Sequence, residues 1–250
     1  MADGLRRSRT LTPTRDALLT MRESFTFEEL EPRVAGLARK LRDELPVGPG
    51  TTTPVLPVRV DRSTESILAV LACAYAEIPF VSIDARTPGH RLEALLHSLG
   101  SPDWILDAAV DSSPESIDDM NVLRLTGEAT RGEELGEPFA FSTSEPPELG
   151  MVILTSGTTG VPKGVMYDWG FLEKGMHMRH SLMERDFAST RSVTFAPLPF
   201  AVGALYVLDL AVGHTVIVLD PTTSTVPELS STGITYSRTS VLCSQAARTN

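Results

Sequence analysis

The chain has 250 residues, enough for one large domain or two small ones and for a sizeable core. With 42% hydrophobic and 22% charged residues, it has the composition of an ordinary soluble globular protein. A formal net charge of −10 excludes a global basic field for nucleic acid or an anionic membrane surface, so an anionic ligand must be met by a local site.

Residues 1–20 are expected to be a loose lead-in, with Arg6, Arg7 and Arg9 as a small solvated basic patch. There is no continuous apolar segment of the signal-peptide kind and no membrane-spanning run. Cys73 and Cys243 have no partner at metal-ligand spacing, and the cytosol is the expected compartment. Thr26-x-x-Glu29 is a capping-box pattern that opens a helix. Leu30, Val34, Leu37, Ala38 and Leu41 give it an apolar stripe, and Pro32 argues for a displaced start.

Val55 to Val60 predicts a strand, weakened by Pro57. Ser63 caps a helix whose core face is Ile67, Leu68, Val70, Leu71 and Ala74. Ile78 to Ile83 is a strand ending at Asp84. Thr87-Pro88 starts a helix with Leu92, Leu95, Leu96 and Leu99, which Gly100 stops. Trp104–Leu106 and Val122–Leu125 are short strands. Residues 126–150 form a surface connection, acidic and rich in Pro, Ser and Gly.

Met151–Thr155 and Gly164–Tyr167 predict strands, and 169–183 a helix. Ser192–Ala196 and His214–Leu219 are strands around a buried helix at Gly203–Val212. Residues 234–236 predict a strand and 241–250 a helix. Short apolar strands alternating with helices predict an α/β fold with mostly parallel sheets flanked by helices.

Between the strands at 151 and 164 lies Ser156-Gly157-Thr158-Thr159-Gly160-Val161-Pro162-Lys163-Gly164. Three glycines, three hydroxyls and a lysine share this loop, and Thr155 adds a hydroxyl at its edge. Glycines let the backbone approach a ligand closely. Amides, hydroxyls and the lysine can then converge on one anion, and the natural guest is a polyphosphate. Walker A spacing fails: Pro162 stands where the second glycine belongs when counted from Gly157, and Val165 when counted from Gly160. Gly-x-Gly-x-x-Gly fails at Thr155.

Leu154 to Val165 resembles the signature of the adenylate-forming superfamily of acyl-CoA synthetases, luciferases and nonribosomal peptide synthetase adenylation domains. Phe25 to Leu30 resembles its first core motif. Ala76 to Asp84 resembles the second, with Glu77 for a glycine and Ser82 for a proline. Pro88-Gly89-His90-Arg91-Leu92 resembles the Pro-x-x-Arg-Leu that follows. Pro197 to Gly203 resembles a Pro-Leu-Phe-His-x-x-Gly segment, with Phe200 at the usual histidine.

The resemblance implies the N-terminal portion of the superfamily's large domain over 21–250, without its C-terminal part and small domain. It implies ATP-dependent activation of a carboxylate as an acyl-adenylate, then transfer to a thiol of coenzyme A or a phosphopantetheinyl carrier protein. Thr155, Ser156, Gly157, Thr158, Thr159 and Gly160 would hold the phosphates, and Lys163 would neutralise departing pyrophosphate. Phe200 and Gly203 are candidate substrate-pocket residues, with a plain core aromatic as the other reading of Phe200. No catalytic residue and no metal ligand is assigned to this chain, and Mg²⁺ is expected to be held mainly from outside it. The Tyr-Gly-x-Thr-Glu and Thr-Gly-Asp motifs of the family do not occur in residues 165–250. The chain alone is therefore expected to be inactive, as a fragment, a truncated frame or one piece of a split enzyme whose remainder sits on a separate chain. The alternative is a remnant module with weak nucleotide binding.

His177 and His180 share a helix face without a third metal ligand, so a solvated face is expected. Asp118-Asp119 reads as a solvated loop. No Gly-x-Ser-x-Gly elbow surrounds Ser240 or Ser244.

Overall fold

The computed structural model describes residues 1–20, 22–47, 51, 54–110, 120–125, 149–155, 163–183, 191–194 and 196–219. The expected strand at 234–236, the helix at 241–250, Asp118-Asp119, Cys243, Ser240 and Ser244 lie outside the described residues.

The N-terminal segment departs from the expected loose lead-in. Ala2–Leu11 forms helix α1 and Asp16–Leu19 strand β1. Ala2, Leu5 and Ser8 recur every three residues and are buried, while Arg7 is exposed and Arg6 is half-buried. A Cβ on Gly4 would lie 1.9 Å from the Ala211 carbonyl oxygen, so only glycine lets α1 lie so close to that turn. Arg6 Nε donates to the Tyr75 hydroxyl at 2.9 Å, which donates to Glu31 Oε1 at 2.7 Å. Arg9 Nη1 donates to the other Glu31 oxygen at 2.9 Å. Burial, reinforced by Glu31, pushes the Tyr75 phenol well above its usual range, so it stays a donor.

Ser24–Thr26 is β2, and α2 runs Phe27–Glu44. The capping box forms: the Thr26 N–H donates to Glu29 Oε2 at 2.9 Å. Pro32 lies inside this helix and does not move its start. Leu56–Val60 is β3, Thr64–Tyr75 α3, Phe80–Asp84 β4 and Gly89–Ser98 α4. Trp104–Asp107 is β5, Asn121–Arg124 β6, Leu149–Thr155 β7 and Lys163–Asp168 β8. Helix α5 spans Trp169–Met183 and β9 Arg191–Thr194. Ala201–Leu208 is α6, continued by a 3-10 turn at Asp209–Val212, and Thr215–Val218 is β10.

The strands make two sheets, ordered β6-β5-β3-β4-β7-β8 and β2-β1-β10-β9. All pairs are parallel except β7–β8 and β1–β2, which bears out the expected α/β layout. Helix α3 is buried on every side, as an all-round apolar helix must be, and packs against α2, α6 and β3. Pro57 sits in the centre of the larger sheet. Leu56 donates its N–H toward β4, to Pro79 O at 2.8 Å, so position 57 faces β5, and the β5 ladder starts only at Val58. No ladder bond is lost to the missing N–H.

Because β3, β4, β5 and β7 run the same way, Val60, Asp84, Asp107 and Thr155 all end on one edge of the sheet. That carboxyl edge is where open α/β sheets present loops to ligands.

Candidate phosphate-binding hairpin

The signature loop is the connection of the β7–β8 hairpin. Strand β7 is buried by its position between β4 and β8, and its apolar run Met151, Val152 and Ile153 answers that burial. Strand β8 returns antiparallel, with Thr155 opposite Lys163 and Leu154 opposite Gly164. A Cβ on Gly164 would meet Val152 Cγ1 at 2.9 Å, so glycine here lets the two strands close. Gly150 serves α5 in the same way: a Cβ would lie 2.8 Å from the Trp169 ring. Trp169 also stands against Phe80, ring centroids 6.4 Å apart.

At the mouth of the hairpin Thr155 Oγ1 donates to the Lys163 carbonyl at 3.1 Å. Both residues are exposed. The structure therefore brings Thr155 and Lys163, the two ends of the sequence motif, side by side at the carboxyl edge. Ser156, Gly157, Thr158, Thr159 and Gly160 lie outside the described residues.

Three carboxylates share this edge, each in a different environment. Asp61 follows β3. Burial would raise its pKa, but the Ser63 and Val110 amides and the Ser66 hydroxyl donate to it at 2.7, 2.9 and 2.9 Å and hold it below the usual range. Asp84 is held low by Arg86, which clasps it through two guanidinium nitrogens at 3.0 and 2.7 Å. Asp107 is raised by burial, against the pull of Arg59 at 3.0 Å. Neither Arg–Asp pair stands out in the sequence. Asp-x-Arg at the end of a strand is the only signal for Asp84–Arg86, and nothing local announces Arg59–Asp107.

A depressed folded-state pKa means that Asp61 stabilises the fold above its unfolded pKa of about 3.9 and loses that contribution as pH falls toward the folded value. Asp61→Asn is expected to flatten the acid limb of the melting-temperature profile. Melting curves across the acid range check it.

Phe200 is 57% exposed in this chain. It caps α6 on a turn closed by its own N–H to Pro197 O at 3.1 Å. Gly203 has a packing reason: a Cβ would lie 2.3 Å from Pro197 O. His177 is exposed, with Glu173 at 4.0 Å, and the His180 side chain is not described. Among the described residues no three His, Cys, Asp or Glu gather as a metal site, and no helix is long and apolar enough to cross a membrane. Cys73 is fully buried, which pushes its thiol far up and makes it inert.

The model of the family described as AMP-binding enzyme matches residues 5–244. The chain belongs to that family. Its relatives include tyrocidine synthase 2 of Brevibacillus parabrevis, 34% identical over 170 residues, covering 66% of this chain and 4% of the relative. The nonribosomal peptide synthetase agiA of Aspergillus flavus is 28% identical over 201 residues, 78% of this chain and 3% of its own length.

Among solved structures, o-succinylbenzoate CoA synthetase of Bacillus subtilis with its acyl-adenylate superposes with a TM-score of 0.71 at 21% identity. The match covers 92% of this chain and 59% of that one. The N-terminal subdomain of Klebsiella oxytoca NpsA matches with a TM-score of 0.65 at 19% identity, over 88% and 53% of the two chains. The chain thus spans a few per cent of the peptide synthetases it matches and little more than half of the solved neighbours.

Proposed function

We propose that this chain supplies the polyphosphate-holding part of an ATP-dependent site that activates a carboxylate as its acyl-adenylate. The observation that carries this reading is the β7–β8 hairpin, which sets Thr155 beside Lys163 at the carboxyl edge of a mostly parallel sheet. Family membership supports the reaction class. A carboxylate oxygen attacks the α-phosphorus of ATP, the bond to the bridging oxygen breaks, and pyrophosphate leaves. The protein's task is to position the reactants and to neutralise charge. Thr155, Ser156, Gly157, Thr158, Thr159 and Gly160 would hold the phosphates through hydroxyls and amides, and Lys163 would offset the charge released on pyrophosphate. Magnesium would chelate the same phosphates and supply further neutralisation. Phe200, displayed on its turn, is proposed as a wall of the carboxylate pocket, with Gly203 permitting the turn.

The acyl group would then pass to a thiol, either coenzyme A or a carrier-protein phosphopantetheine. The peptide synthetase relatives favour the carrier, and the CoA synthetase neighbours favour coenzyme A. Contacts to adenine, ribose and magnesium are proposed to come from outside this chain, since the family motifs for them do not occur in residues 165–250. The same absence favours a second reading, in which the chain binds nucleotide without turning it over.

Pyrophosphate–ATP exchange separates the readings. The 250-residue chain alone is expected to show none with any carboxylate. Exchange by the whole protein that contains it, with its cognate carboxylate, supports activation; its absence there supports the second reading. Robust exchange by the chain alone would overturn the division of labour.

A further inference from the structure

The carboxyl edge of the larger sheet holds a cationic group outside the signature. Strands β4 and β7 are parallel neighbours, with Phe80 opposite Met151 and Val81 opposite Val152. Carried three residues further, that register ends both strands together, at Asp84 and Thr155. Side chains alternate along a strand, so these two leave the sheet on one face. Their predecessors, Ile83 and Leu154, lie on the other face in the cluster formed with Leu92, Leu95 and Leu96 of α4. Asp84 thus stands level with the threonine that closes the hairpin.

Arg86 is fixed on Asp84 by three bonds. Its backbone N–H donates to Oδ1 at 2.9 Å, Nε to Oδ1 at 3.0 Å and Nη2 to Oδ2 at 2.7 Å. The Arg86 side chain is nonetheless 81% exposed. An ion pair so exposed adds little to stability. What the clasp achieves is to fix the orientation of a planar fork that has five N–H donors, two of which Asp84 uses. Val60 of β3 is the register partner of Asp84, and Arg62, two residues beyond, acts on the same carboxylate. Asp84 therefore faces two arginines at the strand end beside the hairpin. The other two carboxylates of the edge are engaged elsewhere, Asp61 by amides and hydroxyls and Asp107 by Arg59.

We propose that Arg86, held in place by Asp84, is a further polyphosphate-binding residue on the β4 side of the hairpin. Asp84 is its positioning residue. The ligand is the pair of outer phosphates of a nucleoside triphosphate, or the pyrophosphate it releases. This inference rests on the reading of the hairpin as a polyphosphate site.

Calorimetric titration of the 250-residue chain with inorganic pyrophosphate tests it. Arg86→Gln is expected to weaken pyrophosphate about tenfold. Arg86→Lys, which keeps the charge without the fork, should fall between. The melting temperature of each variant verifies folding. Unchanged pyrophosphate affinity in Arg86→Gln overturns the assignment of Arg86 while the hairpin reading stands. Failure of the unaltered chain to bind pyrophosphate removes the hairpin reading and this inference with it.

Discussion

Arg59→Met is expected to cost about 3–5 kcal/mol of stability, the range for removing one partner of a buried ion pair. Arg59 and Asp107 are 4% and 5% exposed, on the adjacent strands β3 and β5. Their 3.0 Å approach is a close ionic contact rather than an aligned hydrogen bond. Arg59 also donates from Nη2 to the Ala85 carbonyl at 3.0 Å, so it ties β3 to the chain just past β4. Methionine fills much of the same volume but leaves the Asp107 carboxylate buried without its cation.

The sign of the pH effect follows from burial. Asp107 already has a raised folded-state pKa, and loss of Arg59 raises it further. A carboxyl with a folded pKa above its unfolded one penalises the fold only when ionised. The penalty is therefore absent below the ordinary carboxylate range, grows as pH rises and is complete above the folded-state pKa. Urea unfolding at acid and neutral pH checks this. The double variant Arg59→Met/Asp107→Leu should recover most of the loss, because well-packed apolar pairs replace buried ion pairs at little cost.

The second large effect is on binding. Removal of the hairpin's polar groups together, in Thr155→Val/Ser156→Ala/Lys163→Ala, is expected to weaken Mg·ATP at least a hundredfold. Hydrogen bonds to a charged group contribute about 1.5–3 kcal/mol each, and two lost bonds already exceed that factor. The fold should barely respond, since Thr155 and Lys163 are exposed and the ladder between β7 and β8 is made by the backbone. Near-wild-type melting together with lost binding separates a ligand site from a structural hairpin. Lys163 is one of only three lysines in a chain of net charge −10, so its charge has no close substitute in kind.

Most of the fold was legible because its signals are local. The capping box at Thr26, the serine cap at Ser63 and the stop at Gly100, with φ +88°, each act within one helical turn. Helix α5 has the expected bounds, and its first residue Trp169 anchors it on β7. The N-terminal segment was not legible, because its partners lie far along the chain. Strand β1 pairs with β10, and Thr215 Oγ1 reaches back to the Asp16 carbonyl across nearly the whole sequence. Pro57 misled because the harm a proline does depends on which neighbour its missing N–H would face, a matter of sheet order.

The same division holds at the site. The signature was readable from its composition, since glycines, hydroxyls and a lysine in one loop have little else to do. The Asp84–Arg86 clasp was not. Asp84 reaches the hairpin only through the parallel register of β4 and β7, two strands separated by 64 residues from the end of one to the start of the other.

The most direct test of a polyphosphate-holding hairpin is calorimetric titration of the chain with Mg·ATP, with and without saturating pyrophosphate. The account predicts saturable binding that pyrophosphate displaces and that the Thr155/Ser156/Lys163 triple variant loses. Binding that pyrophosphate leaves untouched, or that the triple variant retains, would contradict it.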